Sequence, residues 1–435
     1  MKKIFLSVAL SVCIQASQAQ CFVKIESGEQ HTIALADDGT LWGWGSNTSG
    51  EAGVSASYPN HVLVPTQIGT DTDWTDIAAS FYHSLALKSD GSLYTWGYNN
   101  YGQLGHGDQT VRTSPTQVNT VYQFKAIGAG LSTSFAITVD GSLYGAGLGG
   151  NGELGDGTYG DNFNFELIAN GNDWKDACGG SGFSMALKND GTLYATGVNS
   201  FGQFGNGNNV SSNAWIQALV GTGLTLDRID CGFNYAYGLT SSGNLYSWGL
   251  NSFGQLGIGS FAQQTSPQSV STNVVDFSCG EESAIWMTNT SVYSAGRNDY
   301  YETQSGTTAY TSSPFQWTTL NQPLMVTKGI FSSSVLTTAG LATWGRNDRG
   351  ICGNNSSTNV TNPTYVMNCS AAIIKEIQDQ EKLDVYPNPA TNEINVVVEK
   401  NTIISILTIS GVQVASYTVL PGSNSINIES FDSGV

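Results

Sequence analysis

Arginine, histidine and long apolar runs are what this sequence has least of. Five Arg and four His occur in 435 residues, and 11% of the residues are charged, against roughly 25% in an ordinary soluble domain. The four His, at 31, 61, 83 and 106, are too dispersed to point to a zinc site or a proton-transfer centre. Lys and Arg together number 16 against 34 Asp and Glu, a formal charge of −18. That balance excludes partners held through clustered positive charge, namely nucleic-acid phosphates and anionic membrane surfaces. The one extended apolar run, residues 4–14, is about half of the roughly 20 residues that a spanning helix needs, so no transmembrane segment is expected.

What is present is glycine, at 52 positions, with 40% hydrophobic and 11% aromatic residues. This is the composition of a β-rich, turn-rich chain with a large core. At the start, Lys2 and Lys3 precede the apolar run, and Ser17 and Ala19 follow it as a small-x-small pair. The pattern predicts a secretory signal peptide over residues 1–19. From Leu383 the character changes to short period-two runs, such as Ile404-Ser-Ile-Leu-Thr-Ile409, separated by Gly and Asn turns, which predicts a small antiparallel sandwich.

Between the ends the sequence repeats. Aligning on Gly45, Gly97, Gly147, Gly197, Gly249, Gly296 and Gly345 gives spacings of 52, 50, 50, 52, 47 and 49. In the clearest copy, His83-Ser-Leu-Ala-Leu-Lys-Ser-Asp-Gly-Ser-Leu-Tyr-Thr-Trp-Gly97, Asp90-Gly91 supplies the positive-φ turn of a β-hairpin. The Leu93–Trp96 strand is read as the inner one, with Gly97 at a crowded point directly after it. A Gly-punctuated loop, Asn99 to Gly107, follows, with Leu104 tucked into the core. The Pro115-Thr-Gln-Val118 segment and a strand of the Trp74-Thr-Asp-Ile-Ala78 type complete four strands per repeat. Such a unit covers both faces of its sheet only by stacking against neighbours.

These residues, summarised as ALxxDGxLYxWGxNxxGQLGxG, closely resemble the RCC1 repeat family, named for the regulator of chromosome condensation. The resemblance implies an all-β, seven-bladed β-propeller over residues 20–370. Repeats three, four and six carry Ala146, Thr196 and Ala295 in place of the Trp, and their blades are expected to be thinner there. A kelch propeller has a similar period but needs a double glycine entering the second strand, which these repeats lack. After a linker at 371–382, residues 383–435 resemble the C-terminal sorting domain of the type IX secretion system of Bacteroidetes. The resemblance rests on Tyr386-Pro-Asn-Pro-Ala390, on Ile406 to Val414 and on Asp432-Ser-Gly-Val435. Members of that family continue for another strand or two, so the domain is read as incomplete.

Continuing the repeat circularly brings Cys369 to Cys21, and a disulfide between them is expected at the seam. Cys178, Cys231, Cys279 and Cys352 are read as small apolar filler. No catalytic residue, cofactor or metal is assigned. Asp38, Asp90, Asp140 and Asp190 are hairpin-turn residues, His31 and His83 hold a repeat position, and the acid-rich loops at Asp71–Asp76 and Asp156–Asn162 lack the spacing of a calcium loop. The loop aromatics Tyr98, Tyr101, Phe201, Phe253, Tyr300 and Tyr301 are the candidate contact surface. The sequence therefore reads as a secreted or surface-attached scaffold that binds an extracellular protein or glycan and engages the type IX machinery. The competing reading is a secreted propeller enzyme such as a glycoside hydrolase, which requires two carboxyl groups converging in a deep pocket.

Overall fold

The computed structural model describes residues 21–54, 60–304, 306–320 and 322–367 in full, and thereafter the backbone of five strands. The chain divides into two compact units, Met1–Cys369 and Ser370–Val435. In the second unit, Asp384–Tyr386, Glu393–Val398 and Gly422–Asn427 form one antiparallel sheet, and Thr402–Leu407 pairs with Gln413–Val419. The signal segment and Cys369, hence the expected Cys21–Cys369 bridge, lie outside the described residues.

The first unit is a seven-bladed propeller of four-stranded antiparallel sheets, each built from four consecutive strands. Blade 2 shows how the sequence dictates one. Its strands are Trp74–Ala79, His83–Lys88, Leu93–Gly97 and Arg112–Gln117. Gly91 takes φ +79° in the hairpin turn, and the Asp90 carboxylate accepts the Ser92 amide at 2.9 Å. The second strand is buried on both sides: Leu85 and Leu87 pack towards Phe124, Ala136 and Phe165 of blade 3, while Ala86 packs towards Ile33, Leu35 and Leu41 of blade 1. Seven buried clusters of this kind occur, one at each blade interface. Repeats six and seven form complete blades although both lack the Asp-Gly turn.

The strand nearest the axis is the first of each blade, not the third as the sequence suggests. The first strands contact one another around the ring, with Phe22–Ser27 against Pro323–Lys328 closing it. Each leaves one edge unpaired within its own sheet, a liability for any strand, and the neighbouring blade covers it. The Asp276 carboxylate accepts the Val326 amide at 2.9 Å, Asp230 accepts the Cys279 amide at 2.8 Å, and Thr327 Oγ1 accepts the Ser27 amide at 3.2 Å. Gly97 ends the third strand at φ +103°, where a Cβ would stand 2.4 Å from the carbonyl oxygen of Tyr82, in the connection that leads into the second strand. The six equivalent glycines are also left-handed, at +93° to +111°.

Two further expectations are corrected. Cys178 and Cys231 are bonded to each other, with Cα atoms 5.7 Å apart. They lie on the first strands of blades 4 and 5, and first strands run side by side near the axis, so cysteines from successive repeats meet there. Nor are blades 3, 4 and 6 thinner. Phe165, Trp215 and Trp286 fill the space opposite Ala146, Thr196 and Ala295, each coming from a strand other than the third.

Candidate functional site: the loop face

Antiparallel connectivity sends the short connections between first and second strands, and the long loops after the third strands, to one end of the propeller. The hairpin turns and blade-to-blade connections lie at the other. The repeated loop is held by its own polar residues. Asn99 Nδ2 donates to the Asp108 and Thr110 carbonyls at 3.0 Å each, and its Oδ1 accepts the Leu104 amide at 3.0 Å. Asn199, Asn251, Asn298 and Asn347 repeat the arrangement. Gln103 Oε1 accepts the Tyr101 amide at 3.1 Å. Rigid loops of this kind hold the residue between Asn and Gly, Tyr101 in blade 2, in a fixed position at the surface.

Behind them runs a buried relay between blades. His31 Nε2 lies 2.8 Å from Ser84 Oγ, and His83 Nε2 lies 2.9 Å from Ser134 Oγ. Ser84 and Ser134 in turn donate to the Glu51 and Gln103 carbonyls at 3.0 and 2.7 Å. Burial pushes His31 down to about 4 and His83 down to about 3. Both rings are neutral structural links. His106 sits 3.0 Å from Thr95 Oγ1 of its own blade.

At the centre of the loop face the channel forms a cavity of about 100 Å³, lined among others by Glu26, Glu29, Asp230, Cys279, Glu281 and Lys328. Phe81 of blade 2 and Phe233 of blade 5 meet at its mouth, ring centroids 6.2 Å apart. Burial raises the Asp230 carboxyl to about 7, and burial together with Glu282 raises Glu281 to about 7. Burial lowers Lys328 to about 8. Among the described residues, no group of three or more His, Cys, Asp or Glu side chains is arranged to hold a metal ion. In the acid-rich loops, Asp71 and Asp73 pair with Lys88 at 2.6 and 3.0 Å, and Asp76 with Lys24 at 2.6 Å.

The structure divides the aromatic loop residues into two groups. On blades 5 to 7, Arg297 lies over Phe253 and Phe331 at 5.6 and 4.8 Å, and Arg346 lies over Tyr300 and Phe331 at 5.5 and 5.4 Å. These guanidiniums are themselves held by Glu282 and Asp299, and by Asp348. On blade 2, Tyr98 and Tyr101 join Phe81 and Tyr82, two residues that sequence reasoning missed because their short connection has no recurrent signature. Phe201 and Tyr301 are half-buried and belong to neither group.

Two models described as the regulator of chromosome condensation (RCC1) repeat match the chain, one at residues 38–87, 90–137 and 242–285, the other at 22–51, 74–103, 174–203 and 227–255. A secretion system C-terminal sorting domain model matches residues 384–435. The probable E3 ubiquitin-protein ligase HERC3 of Homo sapiens is 34% identical over 110 residues, 25% of this chain and 10% of that protein. The ultraviolet-B receptor UVR8 of Arabidopsis thaliana is 36% identical over 98 residues, 22% of each chain. These matches span well under two thirds of either relative. The solved structure of human WBSCR16 superposes with a TM-score of 0.68 at 18% identity, covering 75% of this chain and 94% of that one, a likeness of fold.

Proposed function

We propose, from the premise that this chain belongs to the RCC1-repeat propellers and carries a secretion-system sorting domain, that it is an interaction scaffold using its loop face to bind an extracellular protein or glycan. The sorting domain makes it a secreted or cell-surface protein. In this reading residues 1–19 direct export, residues 20–370 form the binding domain, residues 371–382 are a linker, and residues 383–435 engage the type IX machinery.

The observation that carries the reading is the contrast between the centre and the periphery of the loop face. The central cavity, at about 100 Å³, is well below the roughly 300–1,000 Å³ typical of small-molecule sites. Two Phe rings narrow its mouth, and Asp230 is engaged with the Cys231 and Cys279 amides. A sugar ring between two catalytic carboxyl groups has no room there. The outer loops, in contrast, present rigidly held aromatic and guanidinium groups, the kind of side chain that dominates binding surfaces. The test is a parallel screen of the full chain against glycan arrays, extracellular proteins and chromogenic glycosides. Specific binding without turnover is expected, and reproducible turnover would replace this reading with the enzymatic one.

A further inference from the structure

We infer that Lys328, in the wall of the channel cavity, is a covalent capture site for a small neutral aldehyde, which it binds as an imine. At the register position of Lys328 the other six first strands carry a short side chain: Ser27, Ala79, Ala129, Gly179, Cys231 and Cys279. Blade 7 alone places an amine there. Lys328 is 2% exposed, and its stem lies against Gly280, where a Cβ would stand 2.9 Å from Lys328 Cγ. Lys328, Gly280 and Gly329 all line the cavity.

Hydrogen bonding at the amine favours its neutral form. Nζ donates to the Ser332 carbonyl at 3.0 Å, and among the described residues it has no other hydrogen-bond partner and no carboxylate within 4 Å. A buried ammonium with one acceptor for its three donors is costly, whereas the neutral amine keeps that bond and gains a free lone pair. Burial lowers Lys328 to about 8 against the opposing charge of Glu302. About one amine in ten is then neutral at pH 7, against about one in 2,500 for an ordinary lysine. Glu302 is itself fully buried, with Oε2 accepting the Tyr300 amide at 2.7 Å and Oε1 without a partner.

A desolvated lysine amine is a nucleophile for carbonyl carbon. Its lone pair adds to the aldehyde, and a proton passes from nitrogen to oxygen. The resulting hydroxyl takes a second proton from a carboxylic acid and leaves as water; the iminium nitrogen returns a proton to that acid. Asp230 and Glu281, both near 7 and both in the cavity wall, hold protons for this step at pH 7. The cavity of about 100 Å³ admits a few non-hydrogen atoms. Glu26 and Glu29 in the same wall disfavour an anionic aldehyde. The capture is stoichiometric and requires no partner at the outer loops.

The test incubates the full chain at pH 7 with glycolaldehyde and sodium cyanoborohydride, which fixes an imine as a secondary amine, and follows each lysine by peptide mass mapping. Lys328 is expected to be labelled at least about tenfold faster than the exposed Lys125. The ratio should fall at pH 9.5, where ordinary amines also become neutral. It should fall too with glyoxylate, an aldehyde of similar size that carries a negative charge. Labelling of Lys328 no faster than that of Lys125 overturns the inference, and an equal preference with glyoxylate overturns the choice of a neutral ligand. Both lysines are read in the same unsubstituted molecule, so neither result can arise from a misfolded variant. None of these outcomes bears on binding at the outer loops, so the inference fails separately from the scaffold reading.

Discussion

Blades 2 and 5 keep the consensus Trp, whereas blades 3 and 4 have lost it, and the same interface space is filled in both cases. Trp96 and Trp248 donate from Nε1 to the Glu51 and Gln203 carbonyls of the preceding blade at 3.0 and 2.7 Å, and they pack on the loop glycines Gly53 and Gly205. Where Ala146 and Thr196 stand instead, Phe165 packs on Gly105 and Trp215 on Gly155. Both come from the outer strand, at the register position that Pro115 occupies in blade 2. In these two blades loss of the Trp goes with replacement of an edge-strand proline by an aromatic, whereas blade 6, with Ala295, keeps Pro314 at this position and takes Trp286 from its second strand. With proline absent, the outer strand also bridges the preceding loop, at His106–Asn164 and Asp156–Ala214. At these four interfaces a large ring lies over the loop glycine, and which strand supplies it is free to change.

Removing a ring has the largest expected effect. Trp248→Ala should lower unfolding free energy by about 3–5 kcal/mol, because it opens a cavity in a packed interface and strands the Gln203 carbonyl; urea denaturation measures it. Next in size is the staple between a blade without the Trp and one with it. Reducing Cys178–Cys231, which closes a loop of 53 residues, should cost about 2–4 kcal/mol, read as a lower midpoint in reductant that Cys178→Ser reproduces without it.

A gain of ring should also be harmful where the space is already full. Ala146→Trp should destabilise by about 1–3 kcal/mol through overpacking against Phe165. Adding Phe165→Pro, which restores the pattern of blade 2, should recover most of that loss. If the two substitutions prove additive, the exchange described above is wrong.

The smallest effect concerns the His relay, present in blades 1 and 2 and replaced by Thr133, Phe183 and Tyr235 in the three blades that follow. His83 has a folded-state value near 3 and an ordinary value near 6.5. Below pH 6.5 the unfolded chain takes up a proton that the folded chain refuses, so stability falls as pH drops from about 6.5 towards 3. Asp230 and Glu281, both raised to about 7, act in the opposite sense. They stabilise the fold below the ordinary carboxylate range, and that contribution is lost as pH rises through 7. His83→Phe, copying blade 4, should flatten the acid limb relative to wild type in chemical denaturation from pH 7 to 4.

The blades were legible in the sequence because their determinants are local. An Asp-Gly turn and a glycine forced to positive φ recur at nearly constant spacing, and each acts within one hairpin. What was not legible depends on contacts between repeats. Phe165, Trp215 and Trp286 replace a third-strand residue from other strands, so alignment of the repeats registers only the loss of the Trp. Cys178 and Cys231 sit at different offsets from their repeat glycines and meet only because first strands crowd the axis. The third strand is the inner one in the sequence reading, yet it is the first strands that contact one another around the ring, a relation between repeats that alignment of the repeats does not register. At the loop face, Tyr98 and Tyr101 were visible through their recurring loop, whereas Phe81 and Tyr82 have no counterpart pattern in the other blades and join them only in three dimensions.

The most direct test of the account is amide hydrogen exchange of the full chain with and without a ligand taken from the binding screen. Binding through the loop face predicts added protection in the first-to-second-strand connections and in the loops after the third strands, around residues 80–83 and 97–107. Protection centred on the hairpin turns of the opposite face would contradict it.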